Sequence, residues 1–426
     1  MNTPSTRRNF LKTAAWVAGM PAIIPSRALG RDGHVAPSNR VTMGAIGIGP
    51  RGRLVLTDFL KHPDVRFVAV SDVQQSNSRT AKMMIDRHAG NSDCVEIPDM
   101  LELLARPDID AVMIATGDRW HAVASMLAAK AGKDVYSEKP CAITMAECAE
   151  LDETIRRYGR VFQAGTQRRN VTNFKHAVRI ARSGRLGKLH TVHASIYQLV
   201  QRYDWLPGEP EPPKEQVDWD RWLGPAPWRP YHGDYVRGQW RAYHDFDTPG
   251  RMLDWGSHTV DLCQWALDKD GETPVEYEHD NGTIHARYAD GVKMVMRLGG
   301  FSGEGDWLDQ GTCPVRFEGD EGWVEVGDFA KIAAEPKSLL DGVELDGMAG
   351  TDATAHARDF LDCVKSRGLT ACNSIATRSS HVVCFAATTA WQLGRKVVFD
   401  PATESFVDDD EANRLRSRAR RAPWHA

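Results

Sequence analysis

From position 41 onward the apolar residues come in short dense runs separated by amphipathic stretches. The run 41–46 has the length and continuity of a buried strand, and helical spacing opens at 53–60. Runs at 66–71, 111–115, 134–137 and 161–165 repeat the strand pattern, with helical periodicity at 76–88 and 122–131 between them. Strands that alternate with helices predict an α/β domain built on a parallel, doubly wound sheet.

Past residue 170 the grammar changes. Positions 190–199 alternate like a half-buried strand. Residues 283–298 form a hairpin pattern around Asp290-Gly291, and 315–326 form another that turns at 319–322. Strand now follows strand, which predicts an α+β second domain with a large, open, mainly antiparallel sheet. Helices are expected at 354–367 and 376–393. The stretch 201–250 is rich in proline and aromatics and has no period. It is expected to form ordered loops, because six of the 13 tryptophans lie between 205 and 255. The charged tail from 401 is expected to wrap back over the surface.

A length of 426 residues suffices for two cores, and 42% hydrophobic with 26% charged residues is ordinary for a globular chain. The first 30 residues read as a leader. Thr6-Arg7-Arg8-Asn9-Phe10-Leu11-Lys12 is a twin-arginine pattern, followed by an apolar run at 14–24 and a small-residue cleavage site near Ser26-Arg27-Ala28. That order predicts export to the periplasm. The apolar run is too short, and too broken by Gly19 and Pro21, to span a bilayer, so no stable membrane insertion is expected. Losing residues 1–28 removes four basic side chains and no acid, which takes the formal charge from −4 to −8. Such a charge gives no reason to expect a nucleic-acid partner. The eight cysteines are scattered without Cys-x-x-Cys spacing, and several fall in apolar helical patterns, so no disulfide framework and no metal site are expected.

Gly47-Ile48-Gly49-Pro50-Arg51-Gly52 follows a strand and opens a helix, and Asp72 ends the next strand. Together they form a dinucleotide fingerprint. Gly47 allows the tight turn, Gly49 lets the backbone approach a pyrophosphate, and Gly52 lets helix and sheet pack closely. The helix N-terminus offers free N–H groups to phosphate, and Pro50, which has no N–H, suits its first turn. Two readings stand for Arg51: on the phosphates or on the surface. Asp72 is expected to accept from ribose hydroxyls and to repel a 2′-phosphate, which favours NAD over NADP.

Asp254-Trp-Gly-Ser-His258 sets an acid and a histidine four residues apart at the start of a helical apolar pattern, so the two share a face. A histidine beside a carboxylate suits proton transfer near neutral pH, with the carboxylate orienting the ring or the substrate. Upstream, Ala115-Thr116 ends a strand and precedes His121, and Glu138-Lys139-Pro140 ends the next.

With these motifs in this order, the chain resembles the glucose–fructose oxidoreductase/inositol dehydrogenase (Gfo/Idh/MocA) family from residue 41 to the C-terminus. The blocks Asp218-Trp-Asp-Arg-Trp-Leu-Gly-Pro-Ala-Pro227 and Arg421-Ala-Pro-Trp424 resemble those of its exported bacterial members. After the leader at 1–30 and a polar linker at 31–40, the resemblance implies an NAD-binding Rossmann domain at 41–168, a substrate-binding and oligomerisation domain at 169–400, and a tail at 401–426. It also implies that Lys139, Asp254 and His258 meet at the nicotinamide. Lys139 would hydrogen-bond the reacting oxygen, His258 would take the hydroxyl proton, and Asp254 would hold the imidazole or a sugar hydroxyl. Thr116, His121, Glu138 and Lys139 would join Gly47, Gly49, Pro50, Arg51, Gly52 and Asp72 around the cofactor.

The chain departs from the family in two places. Thr116-Gly117 stands where the family often has Thr-Pro, so His121 either touches the nicotinamide or packs structurally. The glycosidase branch (glycoside hydrolase family 109) typically shows a Tyr-x-x-His context in place of Asp-Trp-Gly-Ser-His, which lowers a glycosidase assignment. Asp261 is read as a partner behind the site. For Gln167-Arg168-Arg169, a substrate contact and a surface role both stand. Most of Trp205, Trp219, Trp222, Trp228 and Trp240 are expected to pack structurally rather than stack on sugar rings.

The expected activity is that of an exported oxidoreductase acting on a sugar, polyol or glycoside hydroxyl with tightly held NAD, in a homo-oligomer. A redox-neutral glycosidase or lyase using transient oxidation is the first rival. A non-catalytic sugar or redox sensor is the second.

Overall fold

The computed structural model describes residues 35–298, 311–344 and 352–424; the twin-arginine leader lies outside them. Up to Arg40 the described chain forms one short 3-10 turn, Pro37–Asn39. The described residues from Val41 onward belong to a single compact unit built on two sheets.

The first sheet is parallel throughout, in the order β3-β2-β1-β4-β5-β6. Its strands are β1 (Val41–Ile46), β2 (Val65–Ser71), β3 (Val95–Glu96), β4 (Ala111–Ile114), β5 (Asp134–Ser137) and β6 (Phe162–Ala164). β4 and β5 are buried at every position, because helices cover both faces. The helix after β4 runs Asp118–Lys130, four residues earlier than its apolar pattern suggests. Its first turn, Asp118-Arg119-Trp120-His121, is polar in sequence yet wholly buried. The helix Met145–Arg157 was not anticipated from apolar spacing, although Thr144 caps it by accepting from the Glu147 N–H (3.2 Å), a capping-box signature.

The second sheet has nine strands in the order β13-β12-β11-β7-β10-β9-β8-β14-β15. These are β7 (Leu189–Ile196), β8 (Glu276–Asp280), β9 (Thr283–Arg287), β10 (Lys293–Leu298), β11 (Val315–Gly319), β12 (Gly322–Gly327), β13 (Lys331–Glu335), β14 (Val397–Asp400) and β15 (Ser405–Phe406). Every pair is antiparallel except the central β10–β7 pair, which is parallel. The hairpins turn where Asp290-Gly291 and Gly319–Gly322 placed them, and Gly291 takes the left-handed backbone such a turn needs (φ 89°). One face carries the helix Leu253–Ala266, buried nearly all round between the sheet and the helix Ser374–Leu393. No helix among the described residues is long and apolar enough to cross a membrane.

Gln167-Arg168-Arg169, just after β6, is buried rather than on the surface. Arg168 is buried and donates twice to Asp328 beyond β12 (3.0 and 2.6 Å). Arg169 is buried between Asp261 (2.7 Å on each oxygen) and Asp270 (2.7 and 2.6 Å). These guanidinium–carboxylate forks tie the end of the first sheet to the second sheet and to the Leu253–Ala266 helix.

Breaking one fork should leave a buried charge without a partner. Asp328→Asn is expected to destabilise the chain by about 3–5 kcal/mol in denaturant unfolding, while replacing both partners (Arg168→Met with Asp328→Leu) should recover most of that loss. An unchanged unfolding midpoint in Asp328→Asn would refute the pairing.

Candidate functional site

The glycine turn and the rim of the first sheet enclose a cleft of ≈ 670 Å³, within the usual range for ligand pockets. Gly47 follows β1 with φ +74°, and a Cβ there would sit 2.7 Å from the Thr116 backbone. Gly52 has similar reason to lack a side chain, since its Cβ would lie 2.9 Å from the Gly47 carbonyl oxygen. Nothing stands within 4 Å of the place where a Gly49 Cβ would project. Gly49 precedes the helix Pro50–Leu60, whose first turn has no side-chain cap. The result is a bare backbone cradle with N–H groups free for an anion, and it fits a dinucleotide pyrophosphate.

Asp72 lines the same cleft and accepts from the N–H groups of Ile48 (2.7 Å) and Gln74 (2.8 Å). Desolvation in the cleft wall outweighs those bonds and pushes its carboxyl up to about 6. Arg51 also lines the cleft, but its guanidinium is spent on the buried Glu138 (3.0 Å), which accepts from Gln167 as well (2.9 Å). Glu138 therefore holds Arg51 rather than facing the cleft. His121 is fully buried outside the cleft wall. Its ring nitrogens lie on the carbonyl oxygens of Pro140 (2.6 Å) and Thr116 (3.1 Å), and burial pulls its pKa down to about 4. It braces the β4 loop against the cis Lys139-Pro140 bond, which corrects its assignment as a cofactor contact.

Lys139, at the C-terminal end of β5, donates from Nζ to the main-chain oxygen of Asp254 (2.6 Å). Burial lowers its pKa, with Asp254 resisting. The expected pairing of Asp254 with the imidazole is not what the carboxylate does. One oxygen accepts from Arg241 (2.8 Å) and the other from Arg251 (3.0 and 2.7 Å). Burial would raise Asp254, but Arg241, Lys139 and Arg251 outweigh it and hold the group below the usual carboxylate range. Arg251 sits in left-handed backbone (φ 58°), a strained conformation kept where its bonds to Asp254 are made.

His258 is buried one turn further along the helix, and its Nδ1 has no hydrogen-bond partner among the described residues. Burial, and after it the charges of Arg168, Lys139 and Arg51, hold its pKa well below 6.5, so the ring is neutral. Asp254, His258 and Asp261 share one helix face. The outer two are anchored, by Lys139 with the two arginines and by Arg169, and the histidine between them is left open. Asp261 is thus a buried anchor of the helix.

Sequence reasoning missed Arg241 and Arg119. Arg241 lines the cleft and lies 3.7 Å from Asp118, so it joins the cofactor cleft to Asp254. Asp118, Asp247 and Asp254 form a buried carboxylate trio around it. Burial, then the charges of Asp118 and Asp254, push the Asp247 carboxyl above the usual carboxylate range. Among the aromatics, Trp219 and Trp222 are buried and stacked (4.7 Å), whereas Trp205 and Trp228 are exposed and Trp240 lines the cleft. Trp222 lines the cleft as well, and Trp240 packs against the same cluster as Trp219 and Trp222, so three of the five pack structurally.

Residues 41–166 match the oxidoreductase family's NAD-binding Rossmann fold, and 171–426 match its C-terminal alpha/beta domain. An uncharacterised oxidoreductase, YrbE, of Bacillus subtilis is 30% identical over 189 residues, 44% of this chain and 49% of that protein. A glycosyl hydrolase family 109 protein of Shewanella sp. is 30% identical over 169 residues, 35% of this chain and 37% of that protein. The chain thus aligns with less than half the length of these relatives. An aldose-aldose oxidoreductase from Caulobacter crescentus, complexed with glycerol, shares the fold at a TM-score of 0.58 and 16% identity, covering 84% of this chain and 100% of that one. With both of its domains matched in order, the chain belongs to the Gfo/Idh/MocA oxidoreductase family.

Proposed function

We propose that the protein is an exported NAD-dependent oxidoreductase acting on a hydroxyl of a sugar, polyol or glycoside. The observation that carries this reading is the convergence of the Lys139 ammonium and the neutral, unpartnered His258 on one helix turn, joined to the cofactor cleft through Arg241. NAD held on the Gly47–Gly52 turn and Asp72 supplies the two-electron acceptor. His258 is neutral and takes the hydroxyl proton. Lys139 keeps its proton and donates to the oxygen as negative charge develops there, where burial makes such a bond strong. The cations around His258 disfavour the imidazolium, so the proton is readily passed on. Asp254 keeps Lys139 charged and in place; it has no free oxygen for the ring.

A second reading has one observation in its favour, the glycosyl hydrolase family 109 relative. In it the same residues would assist transient oxidation of a glycoside hydroxyl by NAD, and re-reduction after elimination of the aglycone would leave no net NADH. Product analysis separates the two, because release of an aglycone without net NADH belongs to the second alone.

Lys139→Met is expected to slow turnover by about 10²–10⁴-fold on a panel of aldoses, polyols and glycosides while NADH binding is retained. Full activity in that variant would refute the assignment. The rate should fall on acidification, with its limb below pH 6.5 because His258 is held under that value, and His258→Gln should abolish the limb. A limb that persists in His258→Gln assigns the titration elsewhere.

Export is tested by cell fractionation. Replacing Arg7 and Arg8 together by lysine should move the chain from periplasm to cytoplasm, and an unchanged distribution would count against the twin-arginine route. Free NAD is scarce outside the cytoplasm, so denaturing extraction of the purified protein should release close to one equivalent of nucleotide. An empty extract would instead mean an exchangeable cofactor.

A further inference from the structure

The cofactor cleft has a roof. Residues 216–241 run across it from the second half of the chain and are stitched to its rim through the backbone. Gln75 N–H donates to Gln216 (3.0 Å), Asp218 N–H donates to Val73 (2.9 Å), and Gln74 and Val217 form an antiparallel bridge between them. Arg221 reaches Asp99 on the far rim (2.6 Å), and the Trp120 indole donates to the Arg221 carbonyl (2.9 Å). The C-terminal tail closes over the outside. Arg421 donates to the Asp220 carbonyl (2.7 Å), and Trp424 packs edge-on against Trp120 at 4.7 Å.

Beneath this roof lies a cation with no ion-pair partner among the described residues, the charge of the neighbouring Asp118 acting on it only through space. Arg119 is 2% exposed and lines the cleft. Its Nε donates to the Trp222 carbonyl (2.8 Å), its Nη2 donates to the same oxygen, and its guanidinium lies 3.6 Å over the Trp222 ring. Its Nη1 has no partner among the described residues, and no carboxylate forms an ion pair with it there. Burial accordingly pulls its pKa down to about 9. Among the other arginines of the wall, Arg51, Arg221, Arg237 and Arg241 each have a carboxylate within 3.0 Å, and Arg53, which is only half-buried, donates to the Ile48 carbonyl (3.3 Å) and Asn77 (3.4 Å). A buried guanidinium without an anion is costly, and an anionic ligand in the cleft that it lines would offset that cost.

We propose that Arg119 is the roof-side counter-charge for the pyrophosphate of the dinucleotide, opposite the glycine turn. Because the same guanidinium carries the Trp222 carbonyl, binding the cofactor and holding the roof shut are one event, which makes the cofactor resident. The inference rests on the NAD reading above.

The test compares Arg119→Lys, which keeps the charge, with Arg119→Gln, which keeps a donor for the Trp222 carbonyl and loses the charge. Stripped full-length protein is titrated with NADH, ADP-ribose and adenosine, of which only adenosine lacks the pyrophosphate. Arg119→Gln should weaken NADH and ADP-ribose by about 10–100-fold and leave adenosine within about twofold, while Arg119→Lys should retain most of the affinity. NADH release followed by fluorescence should quicken in the glutamine variant alone. Equal NADH affinity in Arg119→Gln and the wild type overturns the assignment. So does a parallel loss of adenosine, or an equal loss in both variants, since either would mean that Arg119 merely supports the roof. A wild-type chain that binds none of the three ligands overturns the NAD reading itself, and the proposal with it.

Discussion

Arg169 grips the helix Leu253–Ala266 at Asp261, and the position of everything chemical follows from that grip. The guanidinium is buried at the end of the first sheet, where it needs a carboxylate, and the helix of the second half supplies one. Three residues back on the same helix is His258, and four further back is Asp254. Lys139 reaches Asp254 from the neighbouring strand end of the first sheet. One helix is thereby pinned at its start and again two turns along by the domain that holds the cofactor. The histidine between the pins is the member of the face whose ring makes no bond of its own.

The same electrostatic constraint divides the buried charges into two sorts. Arg51, Arg168 and Arg169 each meet a carboxylate and serve the frame. Lys139, Arg119 and His258 do not meet theirs fully: one sits on a carbonyl, one has a free N–H, and one is neutral with an open nitrogen. All three lie at or next to the cleft. Buried polar groups that a protein leaves incompletely satisfied are where a ligand or a reacting atom completes the set.

Much of this was legible in the sequence. Buried parallel strands such as Val41–Ile46 announce themselves by continuous apolar runs, and the two hairpin turns announce themselves by Asp-Gly and spaced glycines. Other strands were illegible for a physical reason. β8 reads Glu-Tyr-Glu-His-Asp and buries only Tyr277 fully, so its strand character comes from pairing with β9 and β14 rather than from its own composition. The parallel β10–β7 pair joins segments about a hundred residues apart, which no local pattern records. The candidate site follows the same rule. Gly47, Asp72, Lys139 and His258 sit in motifs, whereas Arg119 looks like an ordinary surface arginine until Trp222, 103 residues away, folds over it.

The Thr116-Gly117 departure from the family pattern gains its reason from that arginine. Gly117 is in ordinary extended backbone (φ −78°, ψ 154°), so no conformational demand calls for glycine. Space does: any Cβ at 117 would collide with Nη1 of Arg119. A proline there would require the buried guanidinium to shift from its place. The glycine and the arginine therefore depend on each other, and with them the roof, since the arginine holds the Trp222 carbonyl. A residue that looks in sequence like a missing proline is the clearance that lets a cation lie over the cleft.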